Sequence, residues 1–235
     1  MGDSYAVTAE FYDLLQADEF RRLAERLIRR WLGTPEVGVL DVGAGTGLAT
    51  ALLAEQAGVV VHAVEPAGAM RAVLLSRLAG QPHLLNRVRV HAVGVQHVGL
   101  KAVADFAWCV NTMACLDPLE RAEGLAAMRA ALVLGGRLVV QRPPHRLEPP
   151  WELPSRRLGD DLYTGQVTCA DAGPGKALWR FVYRVTRDDH VVREARESFE
   201  VHLAEPWAFA DELRAAGFDP IAQDEKEIVV ALARR

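Results

Sequence analysis

The chain has 235 residues, half of them hydrophobic, and a formal net charge of −4 at neutral pH. This length and apolar content support one α/β domain with an elaboration, or two small domains, and exclude global disorder. No apolar run reaches the roughly 18 residues of a membrane span, the N-terminus lacks the basic-then-apolar pattern of a signal peptide, and no block of like charge could track a phosphate backbone. The expectation is a cytoplasmic protein that acts on neither membrane nor nucleic acid.

Near the start, Tyr5 and Tyr12 flank Ala9-Glu10-Phe11. Phe20, Leu23, Ala24, Leu27, Ile28 and Trp31 then recur at helical spacing and draw one apolar stripe, with Arg21, Arg22, Arg29 and Arg30 largely outside it. Asp18 is the expected N-cap and Gly33 the expected stop. Such a helix covers one face of a sheet.

From Val39 the apolar runs become short and continuous, the pattern of strands buried on both faces. Strands are predicted at Val37–Val42, Val59–Val64, Val88–Ala92, Asp105–Val110 and Arg137–Gln141. Helices are predicted near Leu48–Ala57, Gly68–Leu78 and Leu119–Ala131. The alternation implies right-handed crossovers and a doubly wound sheet. The cysteines Cys109, Cys115 and Cys169 are an odd, scattered set without C-x-x-C spacing, so they indicate neither a disulfide framework nor zinc and read as small buried residues.

After Gln141, five prolines make Arg142–Ser155 a stiff connection that continues neither helix nor central strand. Period-two segments follow: Trp179, Phe181, Tyr183 and Val185 share one face, and Phe199, Val201 and Leu203 share another. The turn Arg187-Asp188-Asp189-His190 joins them as a hairpin, with Tyr163–Thr168 as a third strand. This antiparallel insertion, approximately residues 142–205 of a single domain spanning 1–235, is expected near the ligand end of the main sheet. Pro206 opens a last helix that Gly217 stops. Strands near Phe218–Gln223 and Ile228–Leu232, joined by Asp224-Glu225-Lys226, are too closely linked to be anything but antiparallel.

The stretch Val39-Leu40-Asp41-Val42-Gly43-Ala44-Gly45-Thr46-Gly47 runs a buried strand into a glycine turn and a helix. Bare backbone N–H groups and a helix N-terminus there meet a small polar ligand. The dinucleotide fingerprint G-x-G-x-x-G does not fit, because Leu48 stands where its third glycine belongs. Glu65, closing the second strand, is placed to accept both ribose hydroxyls of any adenosine ligand.

This motif resembles the first motif of the class I S-adenosylmethionine-dependent methyltransferases. Asp105 opening the fourth strand, Asn111 closing it, Leu134-Gly135-Gly136-Arg137 before the fifth and the terminal hairpin extend the resemblance over most of the chain. It implies a Rossmann-like seven-stranded sheet, mostly parallel, and S-adenosylmethionine as cofactor, leaving S-adenosylhomocysteine. It also implies Gly43, Ala44 and Gly45 under the methionine half, Asp41 toward its ammonium, and Glu65 on the ribose with Pro66 and Met70 beside it. Asn111 joins this set. Tyr5 and Tyr12 resemble an N-terminal segment of small-molecule methyltransferases that closes over the cofactor.

One departure stands out. Where the family commonly has Gly-Asp after the third strand, with the acid on the adenine amino group, this chain reads Ala92-Val93-Gly94-Val95-Gln96. Backbone groups around Gly94 and Val95, or Gln96, are the alternatives for holding adenine.

Methyl transfer needs alignment and dryness, and a base only when the nucleophile starts protonated. His145, in the loop after the fifth strand, is the first general-base candidate, with an exposed or structural loop histidine as the plain alternative. Tyr163, Asp160 and Asp161 come next, the aspartates also reading as a solvated turn. Arg142 and Arg146 suit an anionic substrate or merely an exposed loop. His62, His83, His91 and His97 lack metal spacing, and Trp179, Phe181 and Tyr183 fit a core as well as a pocket.

The resulting expectation is a methyltransferase acting on N or O of a natural-product-like small molecule, as in secondary metabolism and antibiotic biosynthesis, with the insertion as substrate lid or homodimer surface. The alternatives are an NAD(P)-dependent oxidoreductase and a non-catalytic S-adenosylmethionine-binding protein.

Overall fold

The structure is a computed structural model that describes residues 5–224 and 227–234. Glu225 and Lys226, expected in the last turn, lie outside the described residues. Strands β1 (Val39–Val42), β2 (Val61–Val64), β3 (Val88–His91), β4 (Ala104–Cys109), β5 (Leu132–Gln141), β10 (Phe218–Gln223) and β11 (Ile228–Ala233) form one seven-stranded sheet. Its order is β10-β11-β5-β4-β1-β2-β3. β1 pairs in parallel with both β2 and β4, whereas β11 runs antiparallel to β5 and β10. The strand order therefore reverses direction between β1 and β4, the switch point where doubly wound sheets open a crevice at their C-terminal strand ends.

Helices α2 (Ala17–Trp31), α3 (Leu48–Ala57) and α4 (Gly68–Ala79) bury Leu23, Leu27, Leu53 and Leu74 with Val39, Val61 and Trp108 on one face. Helices α5 (Pro118–Ala131) and α6 (Pro206–Ala215) bury Leu125, Met128 and Leu213 with Leu40, Ala107 and Leu138 on the other. Both faces of the central strands are thus apolar, as their continuous hydrophobic runs require. Arg121 of α5 is itself buried and makes a forked pair with Glu212 of α6, at 2.6 and 2.8 Å.

Strands β6 (Trp151–Leu158), β7 (Asp161–Asp171), β8 (Lys176–Arg187) and β9 (His190–His202) form a separate antiparallel sheet in that order. Their apolar face meets helix α1 (Thr8–Leu15): Phe11 stacks on Tyr183 at 4.4 Å, within a cluster that includes Leu15, Leu153, Val167 and Phe181.

Several expectations are corrected. A helix before Asp18 was not predicted, and α2 begins at Ala17 after Gln16 with no side-chain cap, so Asp18 is a first-turn residue rather than the N-cap. Gly33 does follow the helix with φ +65°. The proline-rich connection gives way to β6 at Trp151; Pro154 is tolerated because β6 is an edge strand and its register shifts between Leu153 and Arg156. Phe199 and Val201 do not form a second face: they lie opposite Trp179 and Ala177 and so point the same way as the Trp179 row. Leu203 lies beyond β9.

Candidate active site

The loops after β1, β2 and β4 converge at the switch point. Gly43 has φ +71°, and a Cβ there would lie 2.0 Å from Thr112 Oγ1. Thr112 donates to the carbonyl of Val42 or Val110, both at 3.2 Å, and so ties the loop after β4 to the end of β1. Gly45 has φ +56°, and a Cβ there would meet only the Gly43 carbonyl, at an ordinary contact distance of 3.8 Å, so no side chain crowds this part of the turn. Gly47 serves the fold: a Cβ would lie 2.8 Å from Leu74 of α4.

Asp41 is buried beneath this turn. Thr50 Oγ1 donates to its Oδ2 at 2.6 Å, while Oδ1 is buried without a hydrogen-bond partner. Burial pushes its carboxyl up to about 7, the Thr50 hydrogen bond opposing the rise and the Glu65 charge adding to it.

Glu65 is held by the backbone. Gly45 N–H donates to Oε2 and Ala67 N–H to Oε1, both at 2.8 Å. Burial raises its pKa, against those two amides and Arg71. Arg71 in turn donates to the carbonyls of Glu65 and Pro66, at 2.9 and 2.6 Å, and fixes the turn into α4. A carboxylate so positioned still has lone pairs for two hydroxyl donors.

Tyr5 and Tyr12 pack with Ala9, Ala67 and Met70 in one apolar cluster. The Tyr5 hydroxyl lies 3.3 Å from Cys115 Sγ, and Tyr12 shares a side-chain hydrogen bond with Asn111, whose own φ is +59°. Burial drives Tyr12 up to about 12 and raises Tyr5 as well, so both stay protonated. Asn111 is further fixed by its N–H donating to Gln141 Oε1 at 3.0 Å. Residues expected from three separate stretches of sequence are thus brought together: Tyr5, Tyr12, Glu65, Met70 and Asn111.

Two contributors went unrecognised in the sequence. Asp13 of α1 accepts from Thr46 Oγ1 at 2.7 Å and from Arg77 at 2.5 Å, and Arg77 Nε donates to the Thr46 carbonyl at 2.9 Å. This latch locks α1 onto the glycine turn. The only sequence signal was Asp13 directly after Tyr12, and nothing there names Arg77 as its partner.

After β3, in the stretch expected to hold adenine, the Val95 side chain is turned into the core, where it packs on Gly124 of α5, so Val95 has only backbone to offer a ligand. Gln96 Oε1 is buried without a partner and lies 2.6 Å from where a Cβ on Gly94 would stand. An orphaned acceptor sits where the family's acid is missing.

Other candidates are placed elsewhere. His145 Nδ1 lies 3.4 Å from Arg142 and 3.8 Å from Glu227, and Arg142 is paired with Glu227 at 2.7 Å. Tyr163 packs tilted on Phe11, with ring centroids 6.1 Å apart, in the cluster between α1 and the second sheet. Asp161 is paired with Arg187, and Trp179, Phe181 and Tyr183 belong to that same cluster. Asp105 is structural: its carboxylate accepts from the N–H groups of Glu36, Val37 and Gly38 and staples the chain before β1 to β4. Among the described residues, no group of histidine, cysteine and acidic side chains could hold a metal ion, and no helix is long and apolar enough to cross a membrane.

A family profile described as "Methyltransferase domain" matches residues 39–136, from the glycine-turn strand to the glycine pair before the end of β5. This stretch of the chain, residues 39–136, is similar to a methyltransferase domain. The resemblance to the class I S-adenosylmethionine-dependent methyltransferases stands, and the fold is that of this class. Solved structures similar to this chain over nearly all its length include an amino pentose methyltransferase of calicheamicin biosynthesis from Micromonospora echinaspora. It is 22% identical, with a TM-score of 0.71 over 92% of this chain and 90% of that one. A sugar N-methyltransferase from a Streptoalloteichus species is 21% identical, with a TM-score of 0.71 over 100% and 94%. The CcbJ methyltransferase from Streptomyces caelestis is 20% identical, with a TM-score of 0.74 over 100% and 98%. No curated protein sequence matches the chain.

The site fits S-adenosylmethionine on its own geometry. The uncrowded turn at Gly45, the orphaned oxygens of Asp41 and Gln96 and the two-oxygen acceptor of Glu65 match a ligand with an ammonium, an amino-substituted ring and a vicinal diol.

Proposed function

We propose that this chain transfers a methyl group from S-adenosylmethionine to an N or O atom of a natural-product-like small molecule by in-line displacement. When bound, the cofactor supplies an electrophilic methyl on a sulfonium. The chain supplies position and dryness. Gly43, Ala44 and Gly45 present bare backbone to the methionine half, Asp41 answers its ammonium, Glu65 accepts the ribose hydroxyls, and Gln96 Oε1 accepts from the adenine amino group. Helix α1, latched through Asp13 and carrying Tyr5 and Tyr12, excludes water from the reacting end.

The observation that carries this reading is the juxtaposition of Asp41, with one oxygen orphaned, and Glu65, held by the Gly45 amide, on either side of a turn that no side chain crowds at Gly45. The likeness in fold to an amino pentose methyltransferase of calicheamicin biosynthesis and to a sugar N-methyltransferase supports an acceptor of secondary metabolism. The four-stranded sheet, with α1 against it, then serves as the lid over the acceptor, and its exposed edges offer a surface for a homodimer.

Calorimetry with S-adenosylhomocysteine and with NADH tests the cofactor. The expected result is binding of the first alone, and binding of NADH alone would overturn the proposal. Glu65→Ala is expected to weaken S-adenosylhomocysteine by about 100-fold, since it removes the acceptors of two hydroxyls at about 1–1.5 kcal/mol each. A radiolabelled methyl-transfer screen against amine, hydroxyl and carboxylate metabolites then reads turnover.

A further inference from the structure

A cleft of about 650 Å³ opens between the segment after β4 and the end of the second sheet. Its polar lining consists of Cys115, Asp117, Glu120, Lys176, Glu200 and His202. Cys115 is also the residue whose sulfur touches the Tyr5 hydroxyl, so one wall of the cleft is shared with the cluster that holds Tyr5, Tyr12 and Met70. The cleft therefore adjoins the proposed position of the cofactor.

The lining is unevenly charged: three carboxylates face one lysine. Asp117 and Glu120 are fixed by the start of α5, where Asp117 accepts from the N–H groups of Leu119 and Glu120 and Glu120 accepts from the N–H of Asp117. Lys176 Nζ pairs with Glu200 Oε1 at 2.7 Å, which leaves a surplus of negative charge toward the opening. Such a lining attracts a cation.

His202 is the second element. It is only 7% exposed, lies directly opposite Lys176 in the β8–β9 pairing, and turns Nε2 toward Glu200 Oε1 at 3.5 Å. An imidazole backed by a carboxylate is an arrangement for accepting a proton, because the carboxylate stabilises the imidazolium that results. Glu200, Lys176 and Asp117 are the charged groups facing it, from β9, β8 and the start of α5.

We propose that this cleft is the acceptor site, that it takes an ammonium-bearing molecule, and that His202, backed by Glu200, removes the proton before methyl transfer. The inference rests on the methyltransferase reading above. The ammonium gives one proton to the His202 ring, and the freed lone pair forms the new N–C bond as the methyl–sulfur bond breaks with its electron pair kept on sulfur. The sulfonium thereby becomes a neutral thioether, and the methylated amine carries the positive charge. His202 returns its proton to water.

The test has a binding arm and a rate arm. With ¹³C-labelled histidine, the His202 resonance is followed while 3-amino-3-deoxyglucose, or glucose as its uncharged parent, is added in the presence of S-adenosylhomocysteine. The amino sugar is expected to move the resonance and glucose to leave it in place. No movement by the amino sugar, or equal movement by both, overturns the proposal. In the rate arm, His202→Asn is expected to lower kcat for amine methylation by about 100-fold. Glu200→Gln, at a half-exposed position, is expected to lower kcat about tenfold with little change in KM. S-adenosylhomocysteine affinity is expected to stay within twofold of wild type in both variants. Wild-type rates in both, or methylation of hydroxyl but not amine acceptors, would refute the cleft assignment. Failure of the wild-type protein to bind S-adenosylhomocysteine would instead refute the methyltransferase reading on which it rests.

Discussion

Gly43 and Thr112 stand so close that a single added carbon on Gly43 would fall 2.0 Å from the threonine hydroxyl. The contact joins the loops after β1 and β4 across the switch point, and it leaves no room for a side chain on the floor of the site. Gly43→Ala is expected to destabilise the protein by about 2–4 kcal/mol, the left-handed backbone contributing about 1–2 kcal/mol and overpacking the rest. Adding Thr112→Gly should restore the packing part and not the backbone part. Urea denaturation of the single and double variants separates the two.

Asp41 makes the ligand-free protein sensitive to pH in an unusual direction. Its carboxyl titrates at about 7 in the fold, against about 3.9 in an unfolded chain. Between those values the folded state holds a proton that the unfolded state has lost, so the contribution of this carboxyl to stability is greatest below about pH 4 and falls as pH rises toward 7. Glu65, also raised by burial, adds to the same trend. Asp41→Asn is expected to remove the larger part of this slope in melts from pH 4 to 7. An ammonium arriving beside Asp41 favours the charged form, so S-adenosylhomocysteine binding at pH 6 should release a proton, read by calorimetry in buffers of different ionisation enthalpy.

The latch of Asp13 on Thr46 and Arg77 predicts a local rather than a global effect. Asp13→Ala should cost about 1–3 kcal/mol, because Thr46 and Arg77 lose a partly buried partner. Hydrogen exchange is expected to accelerate in α1 while amides of β1 and β4 keep their protection. S-adenosylhomocysteine should also dissociate faster by stopped flow, since α1 carries Tyr5 and Tyr12 to the site.

Arg121 and Glu212 hold α5 to α6, the arginine side chain being 2% exposed. Arg121→Ala is expected to cost about 3 kcal/mol by leaving Glu212 without its forked partner. Arg121→Met combined with Glu212→Leu should recover most of that loss, because no charge then remains unpaired. Thermal denaturation of the two variants checks the sign of the difference.

Much of the frame was legible in the residues. The continuous apolar runs announce strands buried on two faces, Leu48 after Gly47 rules out the dinucleotide turn, and the short link between the last two strands forces them to be antiparallel. These are local constraints of sterics and chain length, and they hold wherever the segments lie. Helix α1 escaped because its eight residues are too few to show a helical period clearly, and its stability comes from Phe11 and Leu15 packing on the second sheet. Strand β6 escaped because its proline reads as a breaker until the strand is known to lie at an edge.

Sequence by itself determined the class of turn, the acidic residue at the end of the second strand, and the loss of the usual acid near adenine. Only the tertiary structure decided which groups answer one another. It put Asp13 on Arg77, Thr112 over Gly43 and Tyr5 on Cys115, and it left oxygens of Asp41 and Gln96 without partners. Such pairings depend on side chains brought together from distant strand ends, where burial makes each unmatched polar atom costly.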